Sequence, residues 1–393
     1  MKKNIYSNLI IFFLLLGGAY TLKAQISEGG IPYSIKQNIK GSIETITMPS
    51  VDVERLLEED ENDSKLGIPL RFGKDHSVNL DMNNSGTWTE LSDGSKLWRL
   101  RIVCPDAFTT NLLYDWFWMP EGAKFFLYND DKSEIIGAFT EKNNKEHGEF
   151  ATSLISGEAV TLEYYQPALV DKPGIISIST VVHGYRDILS KYFVRDFGSS
   201  GSCNNNVACE VGDDWHDEIR SVAMIIVGGS RMCSGSLVNN TSGDLEQLFL
   251  TANHCLIGNV SSWVFMFNYD SPQCSPNQDG PTSMTVQGST LLASNSASDF
   301  ALVKITEAIP QDYNVHWAGW SAINEPSEYS VGIHHPAGDV KKISFDYDPS
   351  VTSDYDPSPY LDMPIKELAA AMRKQPKFIR TVRHNKHPVI MNP

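Results

Sequence analysis

Between about residues 78 and 170 apolar and polar side chains alternate along the chain. Trp98, Leu100 and Ile102 interleave with Arg99 and Arg101, and Val160, Leu162 and Tyr164 interleave with Thr161 and Glu163. A period of two puts successive side chains on opposite faces, so these runs predict half-buried strands. Several of them, separated by clusters of Gly, Pro, Asn and Asp, predict a β-sandwich. One run, YDWFWMPEG (114–122), is unusually aromatic. Flat aromatic faces can stack on sugars, but aromatic strands are ordinary in sheets. Trp116, Phe117, Trp118 and Met119 are therefore assigned to the sandwich core, or to docking on the next domain, in preference to a carbohydrate platform.

Outside this region the pattern changes. Residues 25–65 carry few periodic signals and end in the acidic run EEDEND (58–63), which reads as a solvated leader or linker. Residues 345–362 hold five aspartates, no basic residue and a duplicated DYDPS (346–350 and 354–358), which reads as a solvated loop without the spacing of a calcium-binding loop. From Lys366 to the end seven Lys or Arg face one acid. After Pro364, Ile365, Leu368, Ala369 and Met372 fall at helical spacing and predict one short amphipathic helix before Pro376. At the amino terminus Lys2 and Lys3 precede an apolar stretch from Leu9 to Leu16 and a cleavage-like Leu22-Lys23-Ala24. That is the form of a secretory signal peptide, too short for a permanent membrane anchor, and it predicts an extracellular or periplasmic protein.

Composition narrows the picture further. A chain of 393 residues can hold two domains, and eight Trp, fifteen Tyr and seventeen Phe among many Gly and Pro suit β-rich ones. The formal charge of −16 argues against nucleic acid or an anionic membrane as partner and leaves polypeptide substrates open. Five of the six cysteines fall between Cys203 and Cys274, an odd number for an exported domain. A zinc reading of them fails on spacing, since no CxxC occurs and His254, beside Cys255, has no paired ligand motif.

The candidate chemistry centres on LTANHC (250–255), where a histidine stands directly before a cysteine at the end of a β-branched and apolar run. The longer segment CSGSLVNNTSGDLEQLFLTANHC (233–255) resembles the opening of the trypsin/chymotrypsin superfamily and is most similar to the bacterial lysyl endopeptidases. SDFALVKI (298–305) follows at the distance of the strand that carries the triad aspartate, and GSSGSCNNNVAC (198–209), HWAGW (316–320) and GIHHP (332–336) add to the likeness. The resemblance implies a trypsin-like double barrel, with His254 as general base and then general acid and Asp299 orienting it. It also implies the pairs Cys233–Cys255 and Cys209–Cys274, with the partner of Cys203 far downstream. That partner is absent, and a Cys104–Cys203 bridge has no support from spacing.

A serine hydroxyl becomes a nucleophile only when an imidazole takes its proton, with the aspartate fixing the tautomer. In the order His, Asp, Ser the serine lies roughly 140 residues beyond the histidine. There the chain reads RHNKHPVIMNP (383–393), without a serine, and no Gly-x-Ser-Gly-x follows Asp299. Ser200 in GSSGS precedes the histidine and is followed by Cys203 where the family's nucleophile loop has proline, so it is read as part of a mature amino terminus. Ser234 and Ser236 are read as packing or hydrogen-bonding residues. Tandem His334 and His335 point to opposite faces of a strand and are read as packing, not as metal ligands.

The sequence thus predicts an all-β precursor: signal peptide (1–24), leader or linker (25–77), β-sandwich pro-region (78–170), connector (171–197), trypsin-like protease domain with an incomplete second barrel (198–344), and an unrelated acidic-then-basic tail (345–393). The expected function is a secreted, monomeric serine endopeptidase cutting polypeptides after lysine. No cofactor or metal is expected, and neither is a nucleic-acid partner or a membrane anchor. The chain is expected to be truncated before its nucleophile and inactive; the alternative is a non-catalytic pseudoprotease or a carbohydrate- or protein-binding module that uses the sandwich.

Overall fold

The structure, a computed structural model, describes residues 27–189, 200, 204–274, 279–321 and 327–350. The signal-peptide reading, Cys203 and the helix read after Pro364 lie outside the described residues. No helix among the described residues is long and apolar enough to cross a membrane.

The amino-terminal half begins with a short helix, α1 (Tyr33–Lys36), then β1 (Glu44–Thr47) and a second helix, α2 (Val53–Lys65). A run of strands follows: β2 (Gly73–Asp81), β3 (Thr87–Glu90), β4 (Lys96–Val103), β5 (Thr109–Trp118), β6 (Lys124–Asn129), β7 (Ile135–Phe139), β8 (Phe150–Ala151), β9 (Ile155–Ser156), β10 (Ala159–Gln166) and β11 (Ile175–Gly184). They form two sheets, one ordered β1-β4-β10-β6-β7 with β3 on β4, the other β2-β11-β5-β8 with β9 on β5. Trp98, Leu100 and Ile102 from β4 and Leu162 and Tyr164 from β10 meet Leu112, Tyr114, Phe117 and Ile178 of the facing sheet in one core. This is the expected β-sandwich, built on the alternation read from the sequence.

Its extent and its outer layer differ from expectation. Strand β11, read as connector, is an inner strand of the second sheet, paired with both β2 and β5. The leader reading fails as well. Strand β1 adds to β4 in parallel, and α1 lies on the opposite face of the same sheet from the core, where Tyr33 stacks on Tyr165 with centroids 4.8 Å apart. The Ser34 N–H and hydroxyl both donate to the Glu163 carboxylate. Arg99, Thr161 and Glu163, expected on a solvated face, are consequently buried.

The acidic run is equally engaged. Asp52 caps α2 by accepting from the Arg55 N–H, and Asp60, on the buried side of that helix, accepts from Arg71 Nε (2.8 Å), Arg186 Nη2 (2.7 Å) and the Tyr185 hydroxyl (2.7 Å). A carboxylate inside an otherwise apolar contact requires such partners, and these tie the helix to the end of the sandwich where β2 begins and β11 finishes. In the aromatic run, Phe117 and Met119 enter the core as expected, whereas Trp116 (47% exposed) and Trp118 (39%) stand on the outer face, because alternation along β5 turns them away.

The carboxyl-terminal half comprises β12 (Asn205–Asn206), α3 (His216–Ser221), β13 (Val222–Val227), β14 (Arg231–Val238), β15 (Leu248–Thr251), β16 (Val264–Phe267), β17 (Thr285–Gln287), β18 (Ser289–Asn295), β19 (Phe300–Ile305), β20 (Ser330–His334) and β21 (Lys342–Asp346). A curled seven-stranded sheet, in the order β17-β16-β13-β14-β15-β19-β18, makes the first half-barrel. Strands β12, β21 and β20 form a separate three-stranded sheet. The all-β, trypsin-like class read from the sequence is the class observed.

Every residue of β13 is buried, and the reason lies in the sandwich. Ala223, Ile225 and Val227 face the barrel interior with Phe249, Phe265 and Val303, while Met224 and Ile226 pack outward on Phe72, Val182, Leu154 and Ile188. A strand covered on both faces reads as a continuous apolar run. Backbone bonds join the halves there: Phe72 N–H to Ser230 O (2.9 Å) and Met232 N–H to Leu70 O (2.9 Å).

Candidate active site

Strands β15 and β19 are antiparallel neighbours, with Leu250 opposite Leu302 and Thr251 opposite Ala301. Beyond Thr251 the chain turns into a single 3-10 turn, Asn253–Cys255, which carries His254. Asp299 is the last residue of the β18–β19 turn, one position before β19 begins. The same end of one strand pair therefore presents both side chains. The buried Cys255 is bridged to Cys233 on β14, which pins the histidine's turn to the barrel wall.

The contact between them is double. Asp299 Oδ2 lies 2.6 Å from His254 Nδ1, and Asp299 Oδ1 accepts the His254 backbone N–H at 2.9 Å. Burial pushes the Asp299 carboxyl up, but hydrogen bonds from the His254 ring, the His254 N–H and the Asn253 N–H outweigh it and hold the group below its ordinary value. An ionised carboxylate can only accept, so Nδ1 carries the proton and Nε2 is the basic nitrogen. Asp299 adopts a left-handed backbone, φ 44°. A residue held in that region is a local strain that its surroundings must sustain, and here two backbone N–H groups and one ring hold it.

The two residues singled out from the motifs are thus brought together. The backbone donors at Asn253 and His254 were not, because every non-proline residue has an N–H and no side-chain pattern marks these two. Among the described residues no hydroxyl is hydrogen-bonded to His254. Ser234 Oγ accepts the His335 N–H at 2.9 Å and Ser236 Oγ meets Ser221 Oγ at 2.8 Å, the hydrogen-bonding roles expected of them. Ser200 donates to Asp339 Oδ2 at 2.6 Å.

The other motifs support the barrel. Trp317 and Trp320 of HWAGW donate their indole N–H groups to Glu246 O (3.1 Å) and Asn239 O (2.8 Å), straddling the β14–β15 connection. His335 is buried, stacks on Tyr269 and shares its Nδ1 with Asp339 O at 3.0 Å; burial drives its pKa well down, so it is neutral. Cys209–Cys274 and Cys233–Cys255 are both bridged, as the resemblance implied. Cys104 is free and buried, which pushes its thiol up to about 11. The group of metal-capable side chains that comes together among the described residues is Cys233, His254 and Cys255, and its two sulfurs are joined to each other.

Comparison with known proteins agrees with this geometry. Residues 197–366 match the lysyl endopeptidase C-terminal domain. A lysyl endopeptidase from Pseudomonas aeruginosa is 30% identical over 208 residues, covering 49% of this chain and 44% of that protein. The chain therefore spans less than half the length of this relative. Over residues 197–366, therefore, the chain is similar to the C-terminal domain of the lysyl endopeptidases, which supports a lysyl endopeptidase-like, trypsin-like relation for this region.

Proposed function

We propose that the protein is an exported serine endopeptidase of the lysyl endopeptidase type, cutting polypeptides on the carbonyl side of lysine. The observation that carries this reading is the double contact of Asp299 with the His254 ring and backbone. It fixes the tautomer a general base needs, with Nε2 free to take a hydroxyl proton and later return it to the leaving amine. Preference for lysine rests on the relative's name, and export rests on two disulfides and the amino-terminal apolar stretch.

No Gly-x-Ser-Gly-x motif, the setting of a nucleophile beside its backbone oxyanion donors, follows Asp299 in this sequence. The chain as written is proposed to be inactive. Incubation of the purified chain with a lysyl ester and with a fluorophosphonate probe tests this. The expected result is neither hydrolysis above background nor labelling; stoichiometric labelling of Ser200 or any other serine would overturn it.

A further inference from the structure

The polar face of the first sandwich sheet, flanked by α1 and the loop that follows it, borders a half-open cleft of about 460 Å³. Arg99, from the middle of β4, lines it. Its side chain is almost wholly buried (3% exposed), and its Nε has no hydrogen-bond partner. Gly41 crosses the guanidinium where a Cβ would sit 3.8 Å from Nη2. No carboxylate among the described residues pairs with it. Glu163, opposite Arg99 in the β4–β10 register, receives its hydrogen bonds from Ser34 and the Tyr128 hydroxyl. Asp130, at the rim, is held by Arg101 through two bonds, 2.9 and 2.6 Å.

A buried cation without an acceptor is costly, and a fold retains one where something else supplies the acceptor. Two exposed lysines, Lys40 and Lys132, line the same cleft and form no ion pair among the described residues. Glu163 balances the charge of Arg99 across the strand pair, but its hydrogen bonds go elsewhere, and the buried Arg99 Nε is left without an acceptor. Ile35, Ile39 and Ile43 add an apolar side. The cleft is larger than a bare inorganic anion fills.

The geometry points to a binding site for an organic ligand bearing a compact oxyanion, a phosphate, sulfate or carboxylate. Arg99 grips the oxyanion with its planar fork, Lys40 and Lys132 attract it at the mouth, and the isoleucines contact the ligand's body. The site belongs to the sandwich half and is independent of the His254–Asp299 pair.

The full chain, in low-salt buffer free of multivalent anions, is titrated with inorganic phosphate, sulfate and acetate by calorimetry. Saturable binding of at least one is expected, and comparison of the three identifies the head group. Arg99→Met should weaken it by about tenfold or more without lowering the thermal midpoint, because a buried donor without an acceptor has been removed. Lys40→Ala with Lys132→Ala, both on the surface, should weaken it by about threefold with the fold intact. Absence of saturable binding for all three anions would overturn the proposal. So would binding unchanged in both variants, or an Arg99→Met protein that is less stable or does not fold, since Arg99 would then serve the fold itself.

Discussion

Replacing Cys233 and Cys255 together by alanine tests how the histidine's turn is held. The bridge joins residues 22 apart in sequence and ties β14 to the 3-10 turn that carries His254. On the chain-entropy model a loop of this length contributes about 3 kcal/mol, mostly by restricting the unfolded chain. Losing the buried sulfur of Cys255, which is 2% exposed, adds a packing loss of somewhat under about 1 kcal/mol. The sum is a destabilisation of about 3–4 kcal/mol. Urea unfolding followed through Trp263, fully buried in this half, in a variant whose other seven tryptophans are replaced by phenylalanine, reads this half of the molecule. Because the uncrosslinked chain exposes more surface when unfolded, the slope of stability against urea should rise as the midpoint falls. A loss below about 1 kcal/mol with an unchanged slope would refute the entropic reasoning. Peptide mapping that found Cys233 free in the unmodified protein would refute the assigned connectivity.

Other perturbations address other parts of the fold. Asp60→Ala leaves Arg71 and Arg186 without their shared carboxylate and should cost about 3–5 kcal/mol in chemical unfolding; a loss under about 1 kcal/mol would show that α2 is not anchored as described. Gly235→Ala puts a methyl group 2.2 Å from Phe249 Cε1 and 2.7 Å from Leu250 O, so the variant should lose about 2 kcal/mol or more by thermal unfolding. Stability should also fall in acid. Burial holds His335, and more weakly His183 and His334, below the ordinary histidine value, so the folded protein refuses protons that the unfolded chain binds below about pH 6.5. His335 alone should contribute a slope of up to about 1.4 kcal/mol per pH unit in that window. Asp279 opposes it: burial pushes its carboxyl up to about 6, so its contribution is present at low pH and fades as pH rises through that value. Urea midpoints between pH 5 and 8 for the parent and His335→Gln check this, and parallel curves would contradict it.

The parts legible in the sequence are those whose physics is local. Alternation at Trp98–Ile102 and Val160–Tyr164 required only a period of two, and the strands formed there. His254 and Asp299 were legible as motifs, and their meeting follows from the β15–β19 pairing. The alternation could not tell whether Arg99 and Glu163 faced water or a third layer, and the weakly patterned segment before residue 65 supplies that layer. EEDEND looked solvated because nothing in its composition announces that Asp60 meets two arginines, one 11 and one 126 residues along the chain. The left-handed turn at Asp299 and the backbone donors around it are products of tertiary geometry and carry no signature in side-chain identity.

The central claim is that His254 and Asp299 are the base and orienting acid of a lysyl-specific protease. The most direct test is a chimera in which the second barrel of a complete lysyl endopeptidase follows residue 344, supplying a nucleophile, assayed on peptides with a single lysine. Cleavage on the carbonyl side of lysine is predicted, falling on the order of 10⁴-fold or more in His254→Ala. A folded chimera that cleaves equally well with His254→Ala would contradict the assignment.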